Sequence, residues 1–513
     1  MVPVLSVMQM RRVDEKAIGG DVAVGYSYML RAGMCLCDEA KRLVPDASRG
    51  EIAVMCGKGN NGGDGFVAAR LLMESGHRVM CFGLCGPDQL KGEAKFAFDQ
   101  YVAQKGNFLL LDDTTDLRDL SKYSLIIDGL LGTGLSGNPH GIFAETIEAI
   151  NQSGATVLAI DTPSGLDNDR GVPGVPCVKA HATVAMGFPK IGAFFYPGRA
   201  LVGDYRIKNL GYPDEIVGAM APELSYPAFE DLQKLLPARK PDGSKFDHGV
   251  ALMVCGSRSM TGSAALSSMA ALRTGCGMVH LACPRSAVPV LSAMLKETVV
   301  HGMDETEEGA LAASARERIL ELSARARCVC IGPGISHGNE TSRLVLDLVQ
   351  TAGKPIVLDA DGINAYKDRP FDLKNVSPGL LITPHQGEWA RLFGPLPQGP
   401  LDAIKTLRDK AGEFGMTVLY KGAPTIVADP QGMAYILPFG NSGMATAGSG
   451  DVLSGIITSL AAQGLGLTDA AVLGAYVHGE AGNAARDRRN EYSMIAGDLV
   501  ENIYKAINTL IAE

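Results

Sequence analysis

The sequence predicts an α/β protein of two successive domains, each built on a mostly parallel sheet with helices on both faces. Three observations predict it. The 513 residues exceed what one hydrophobic core usually serves. Short apolar runs without polar alternation recur along the chain and read as strands buried on both faces. Helical stretches separate several of them, which is the alternation that produces doubly wound parallel sheets. Hydrophobic residues make up 46% and charged residues 20% of the chain, a globular balance with material for large cores.

In the first half, strands are expected at Ile52–Cys56, Val79–Gly83, Phe108–Leu111, Leu125–Asp128, Val157–Asp161 and Thr183–Met186. Helices are expected at Gly65–Ser75 and Ile142–Asn151. This gives a Rossmann-like three-layer α/β/α domain over residues 1–218. The pattern weakens from Gly211 to Asp247, where Pro213, Pro222, Pro227, Pro237 and Pro241 mark an interdomain connection, helical around Glu230–Leu236 and moderately stiff. A second α/β domain over residues 225–513 has strands at Val250–Cys255, Met278–Ala282, Cys328–Ile331, Ile356–Asp361, Leu380–Thr383, Val418–Tyr420 and Thr425–Val427. Pro and Gly within Asp429–Gly432 predict a turn between two antiparallel strands.

The net charge of -9 gives no general attraction for nucleic acid or anionic membranes, so any phosphate must be held by local geometry. Eleven cysteines without a CxxC pair or a neighbouring histidine pattern argue against zinc and for reduced, buried thiols. Arg11, Arg12 and Asp14 interrupt the N-terminal stretch, which therefore lacks a signal-peptide core. No apolar run approaches the roughly 18–20 residues that span a bilayer. A cytoplasmic location is expected.

Two glycine-rich turns carry the chemistry. Strand Ile52–Cys56 leads into Gly57-Lys58-Gly59-Asn60-Asn61-Gly62-Gly63-Asp64-Gly65 and then a helix. Glycines admit close approach and positive φ, and a helix start offers N–H groups to an anion. The spacing satisfies GxGxxG, but the next strand ends Cys81-Phe82-Gly83-Leu84-Cys85, without the acid that would hold a dinucleotide ribose. No Gly-Lys-Ser/Thr follows, so it is not a Walker A loop either. Two further strand ends are oxygen-rich: Asp128 before Gly129-Leu130-Leu131-Gly132-Thr133-Gly134-Leu135, and Asp161 before Thr162-Pro163-Ser164-Gly165. Ligands of open α/β sheets bind outside the carboxyl ends of strands. Asn61, Asp128 and Ser164 would offer hard oxygens to an alkali or alkaline-earth cation.

The ordered motifs GNNGGDG, DGLLGTGL and DTPSGLD resemble the NAD(P)HX epimerase domain, over roughly residues 1–215. The resemblance implies that Asn60, Asn61, Gly62, Gly63, Asp64, Gly132, Thr133, Gly134, Leu135, Ser136, Gly137, Asn138 and Asp161 bind the hydrated nucleotide. It implies potassium at Asn61, Asp128 and Ser164. The hydrate carries a hydroxyl on a carbon bonded to the ring nitrogen, and one positioned acid/base can shuttle the proton while the configuration scrambles. Asp161 is the first candidate for that acid/base; Asp128, which the cation would claim, is the alternative, and the residues leave the two roles open.

The second turn is Asn441-Ser442-Gly443-Met444-Ala445-Thr446-Ala447-Gly448-Ser449-Gly450-Asp451, ahead of a helical run to Ala462. A carboxylate beside an anion hole is what phosphoryl transfer to a hydroxyl requires. KFDHG, Gly256-Ser257, GPG, DADG, TPHQGE, KGAPTIV and GSGD, in this order, resemble the NAD(P)HX dehydratase branch of the ribokinase-like superfamily, over about residues 230–513. The resemblance implies hydrate contacts at Ser263, Gly334, His385 and Asp451, and nucleotide contacts at Lys421, Gly422, Ala423, Pro424, Thr425 and Gly450. It makes Asp451 the base. Small departures from the family pattern occur: Ser263 replaces the usual alanine, DADG the frequent DADAL, and GSGD the commoner GMGD. The implied function is repair of NADHX and NADPHX, with ADP as phosphoryl donor, Mg2+ on the nucleotide and potassium at the first site. A homo-oligomer is expected. The rivals are a small-molecule kinase fused to a nucleotide-binding domain, and an N-terminal module that only binds.

Overall fold

The computed structural model describes residues 1–45, 50–111, 117, 119–134 and 137–512. Two compact units emerge, one mainly Val2–Leu224 and the other from Ser225 onward.

Among the described residues the first unit's own sheet has seven strands: β1 (Glu51–Cys56), β2 (Arg78–Gly83), β3 (Asn107–Leu110), β4 (Tyr123–Gly129), β5 (Thr156–Ile160), β6 (Ala182–Met186) and β7 (Asp204–Lys208). Their order is β3-β2-β1-β4-β5-β6-β7, and every neighbouring pair is parallel. Alternate residues of β1 serve opposite cores. Ile52, Val54 and Cys56 pack with helices α1 (Val22–Leu43), α2 (Asn60–Glu74) and α3 (Gly92–Ala103), whereas Ala53 and Met55 pack with α4 (Ile142–Gln152). The sequence had no polar alternation because both faces are covered. The order reverses between β1 and β4, so the crevice at their carboxyl ends is where a ligand is expected.

Two differences from the sequence expectation bear on function. The helix expected from Gly65 begins five residues earlier, at Asn60, so Asn60–Asp64 form its first turn. The stretch before β1 is helical, at Val7–Ile18 and Val22–Leu43. The proline-rich stretch is absorbed by the two units. Leu224 O accepts from Val4 N and Met220 O from Gln9 Nε2 in the first. Leu232 joins the second unit's core, and Gln233 Nε2 donates to Leu510 O.

Among the described residues nine strands lie wholly in the second unit and run in the order β16-β15-β14-β13-β12-β11-β8-β9-β10. They are β8 (Val250–Val254), β9 (Met278–Pro284), β10 (Val299–Met303), β11 (Cys328–Ile331), β12 (Ile356–Leu358), β13 (Leu380–Ile382), β14 (Thr417–Tyr420), β15 (Thr425–Ala428) and β16 (Ala434–Leu437). All pairs from β10 to β14 are parallel, and β14-β15-β16 are antiparallel across the predicted turn. One face of this sheet packs with α5 (Thr261–Arg273), α6 (Ser449–Ala462), α7 (Leu467–Arg488) and α8 (Ala496–Ile511). All eleven cysteines are free thiols, nine of them buried, which fits the reading of cysteine as a small apolar residue here. Among the described residues no helix is long and apolar enough to cross a membrane.

Candidate active sites

At the end of β1 the chain passes through Gly57–Gly59 into α2. No glycine of this turn uses positive φ. Two are required by close approach instead: a Cβ on Gly57 would lie 2.0 Å from Leu130 O, and one on Gly62 would lie 2.0 Å from Gly57 O. The strand tips of β1 and β4 are thereby drawn together. Gly59, at the N-cap of α2, has no side chain to cap the helix, so N–H groups of the first turn remain for a ligand.

Beside this turn lies a cavity of about 640 Å³. Of the predicted residues, Asn60, Asn61, Asp64, Gly132, Thr133, Gly134 and Asp161 line it. Gly62 is buried and Gly63 packs close to Met29. Asn138 Oδ1 accepts from Val175 N at 3.0 Å, holding its own loop, and Gly137 takes φ +83 in that loop. Leu135 and Ser136 lie outside the described residues.

Asp161 follows β5 with φ +62, a conformation that L residues seldom adopt. The twist turns its carboxylate back toward β6, where Oδ1 accepts from Met186 N at 2.9 Å and pairs with the Lys190 ammonium. Lys190 is 3% exposed and also donates to Met186 O. Asp14 accepts from Tyr212 Oη at 2.6 Å, and burial, first of all, raises its carboxyl above the usual range. Asp64 is 9% exposed and its carboxyl has no hydrogen-bond partner among the described residues. Burial, then the Asp161 and Asp14 carboxylates, hold it well above the usual carboxylate range against the pull of Lys190. Tyr28 and Tyr212 form an aromatic wall, their rings stacked 4.7 Å apart.

The three predicted cation ligands converge. Asp128, fully buried, accepts from Ser164 Oγ at 2.6 Å and Ser164 N at 2.8 Å, and burial pushes its carboxyl up to about 6. Leu131 N donates to Ser164 Oγ. Asn61 spans the gap, its Nδ2 reaching Leu131 O and Ile160 O. The donor set of a carboxylate, a hydroxyl, an amide and two carbonyls is hard and oxygen-rich, and it fits an alkali cation. Among the described residues no group of three His, Cys, Asp or Glu could hold a transition metal.

In the second unit, Gly448 takes φ +86 and starts α6 without a side-chain cap, leaving the first N–H groups open toward an anion. Asp451 stands in that first turn. Burial and the nearby Asp359 push its carboxyl up to about 6, with Ser263 and Lys421 acting the other way. Gly334 and Ser263 meet here as well, since a Cβ on Gly334 would lie 2.9 Å from the Ser263 Cβ. Ala360, with φ +50, separates Asp359 and Asp361 at the end of β12. Asp359 is 1% exposed and collects Lys421 Nζ at 2.8 Å, Thr383 Oγ1 at 2.7 Å and Ser454 Oγ at 2.6 Å. Burial opposes its charge, but Lys421 and the two hydroxyls prevail and hold it below the usual range. The Lys421 ammonium, read from the sequence as a phosphate ligand, is thus already committed to a carboxylate. It reaches under the second turn, 3.4 Å from where a Gly450 Cβ would sit.

His385 caps helix Gln386–Phe393. Its Nδ1 accepts from Gly387 N and Glu388 N, and Glu388 Oε2 accepts from His385 N. The side chain is still 53% exposed, with Nε2 3.4 Å from Glu388 Oε1. Gly422, Ala423 and Pro424 form the turn between β14 and β15, where Thr425 Oγ1 donates to Gly422 O.

The family described as NAD(P)H-hydrate dehydratase matches residues 251–505, and that described as YjeF-related protein N-terminus matches residues 25–192. Over 99% of the chain and 98% of the relative, it is 36% identical to the bifunctional NAD(P)H-hydrate repair enzyme of Moorella thermoacetica. The chain belongs to the bifunctional NAD(P)H-hydrate repair enzyme family. The namesake from Thermofilum pendens is 38% identical over 89% of this chain and 87% of its own, and that from Escherichia coli 30% over 95% and 90%. Among solved structures, an ADP/ATP-dependent NAD(P)H-hydrate dehydratase from Bacillus subtilis, co-crystallised with ATP and Mg2+, has a TM-score of 0.46 at 24% identity, covering 56% of this chain and 98% of that one.

Within this family frame, sequence reasoning passed over Asp14, Tyr212, Lys190 and His478. The last sits on α7 with Nε2 3.0 Å from Ser449 O and 3.2 Å from Ser449 Oγ, and burial pushes its imidazole down to about 4. The signals were faint: a lysine after Phe188-Pro189 at a strand end, and a histidine inside a long apolar helix.

Proposed function

We propose that the chain repairs hydrated NADH and NADPH in two steps. The first unit interconverts the R and S epimers of NAD(P)HX, and the second dehydrates the S epimer with ADP. The observation that carries the reading is that each unit sets an uncapped helix start beside a glycine turn and an ionisable carboxyl, in the units that match the two family halves.

In the first cleft the hydrate would lie along Asn60–Asp64 and Gly132–Gly134, with Leu135, Ser136, Gly137 and Asn138 completing that loop, and Asp161 facing the reacting carbon. The ring nitrogen assists departure of the hydroxyl, and water returns on either face. Potassium would be held by Asn61, Asp128 and Ser164, with the carbonyls of Leu131 and Ile160 as further donors. Its charge there would balance the buried Asp128 carboxylate and hold the β1, β4 and β5 tips in register.

In the second cleft Asp451 would take the proton of the hydrate hydroxyl as the terminal phosphoryl group of ADP arrives, giving a phosphorylated hydrate and AMP. Phosphate then leaves with the C–O electron pair, pushed by the ring nitrogen, and loss of a proton from the adjacent ring carbon to water neutralises the C=N+ cation and restores the reduced cofactor. The N–H groups at Gly450 and Asp451 would stabilise the moving charge. Ser263, Gly334 and His385 would hold the hydrate, and Lys421–Thr425 with Gly450 the nucleotide. Mg2+ would enter as the counter-ion of the nucleotide phosphates. Lys421 acts first by keeping Asp359 ionised and in place.

The test supplies the purified S epimer with ADP and Mg2+. Recovery of reduced nicotinamide absorbance with one AMP and one phosphate per turnover is expected. A stable phosphorylated product without reduced cofactor would instead mark a kinase.

A further inference from the structure

The first cleft is lined by four acids, Asp14, Asp64, Asp161 and Glu93, and three bases, Arg11, Lys58 and Lys190. Asp14, Asp64 and Asp161 all line one cavity with Lys190. Lys190 is paired with Asp161, whose Oδ1 also accepts a backbone N–H. Asp14 has the Tyr212 hydroxyl. Asp64 alone has neither hydrogen bond nor ion pair among the described residues, at 9% exposure and facing the same space. An unpaired buried carboxylate beside two others is strongly disfavoured by lost hydration and like-charge repulsion. The inexpensive state is the neutral acid, which has a proton to give and no protein acceptor for it.

We propose that Asp64, and not Asp161, is the acid that drives epimerisation. This rests on the epimerase reading of the first cleft. Asp64 transfers its proton to the hydroxyl oxygen of the hydrate. The C–O bond breaks with its electron pair going to oxygen, water departs, and the ring-nitrogen lone pair forms a C=N+ bond. Water adds back to the opposite face, the C=N+ pair returns to nitrogen, and the extra proton goes back to the Asp64 carboxylate. Atoms, electrons and charge are the same at the end as at the start. Asp161, fixed by Lys190, is a negative group suited to hold and orient the cation formed midway. The other charged groups facing the cavity are Arg11, Lys58 and Glu93. The first two are the ones able to favour the ionised form of Asp64.

The experiment separates the two epimers chromatographically and measures their exchange in the full-length protein with potassium present. Asp64→Asn keeps the shape and neutrality of the acid but carries no transferable proton. It is expected to lower kcat for epimerisation by at least about 100-fold, with KM changed by less than about threefold and the thermal midpoint of the first unit preserved. Asp64→Glu is expected to recover part of the rate. In the wild type kcat is expected to fall on the alkaline side, and this limb is expected to vanish in the residual activity of Asp64→Asn. A raised KM at unchanged kcat would overturn the proposal and leave Asp64 as a substrate contact. So would wild-type exchange by Asp64→Asn with its alkaline limb intact. If Asp64→Asn does not fold, the alkaline limb and the partial rate of Asp64→Glu decide: a rate independent of alkaline pH overturns the proposal. Absence of exchange in the wild type would instead remove the epimerase reading beneath it.

Discussion

Asp451 shows how one carboxyl obtains its chemistry from its surroundings. Burial and Asp359 lift it to about 6, so it is mostly ionised near neutral pH yet basic enough to accept a proton. Asp451→Asn is expected to lower dehydration by about 10²–10⁴-fold and to leave epimer exchange intact, as read by reduced-cofactor recovery and by epimer chromatography. The wild-type dehydration rate is expected to rise with pH through about 6 and then level, because the carboxylate is the working form. Lys421 and Asp359 behave oppositely. Asp359 is held below its ordinary pKa, so the stability it contributes is full above the usual carboxylate range and is lost only as acid passes through its lowered value. Lys421→Met removes the counter-charge from a buried carboxylate. It is expected to destabilise the second unit by about 3–5 kcal/mol, seen as an earlier urea transition for that unit.

At the scale of elements, both sites set an uncapped helix start behind a glycine turn; in the first the turn follows directly on a buried strand, and in the second it follows the short helical turn Ser442–Met444. Gly62→Ala would place a methyl group 2.0 Å from Gly57 O, and backbone cannot give way cheaply. Loss of epimer exchange and destabilisation of the first unit by at least about 1–3 kcal/mol are expected, with dehydration retained, measured by the two assays on one preparation. This device was legible in the sequence because its parts are contiguous: Cys56 to Asp64, Ile127 to Gly134, and Ala447 to Asp451. What escaped was what other elements bring to the same place. Asp14 and Tyr28 come from helices whose cavity-facing residues look like any amphipathic surface. Lys190 reads as an exposed lysine until Asp161 takes φ +62 and turns back to meet it. The role assigned to glycine also changed in detail, because Gly57 and Gly62 serve packing and not positive φ. His385 proved to cap a helix through Nδ1, a use of histidine that spacing does not reveal.

At the scale of the whole molecule, two units with separate cores carry separate steps for one damaged nucleotide. Each step therefore answers to its own perturbation. Replacing potassium with a bulky organic cation is expected to slow epimer exchange and lower the first unit's thermal midpoint, with little change in dehydration of the pure S epimer. Equal loss of both would contradict the assignment of potassium to Asn61, Asp128 and Ser164. Full-length matches to relatives fixed the family, whereas the division of labour between the clefts follows from the residues in each. The most direct test gives an equal mixture of both epimers, with ADP, Mg2+ and potassium, to the wild type, to Asp161→Asn and to Asp451→Asn, and follows the return of reduced nicotinamide absorbance. The wild type is expected to recover the whole mixture, Asp161→Asn to recover the S half promptly and the rest slowly, and Asp451→Asn to recover none. Prompt recovery by Asp451→Asn, or complete prompt recovery by Asp161→Asn, would contradict the account of two clefts acting in succession.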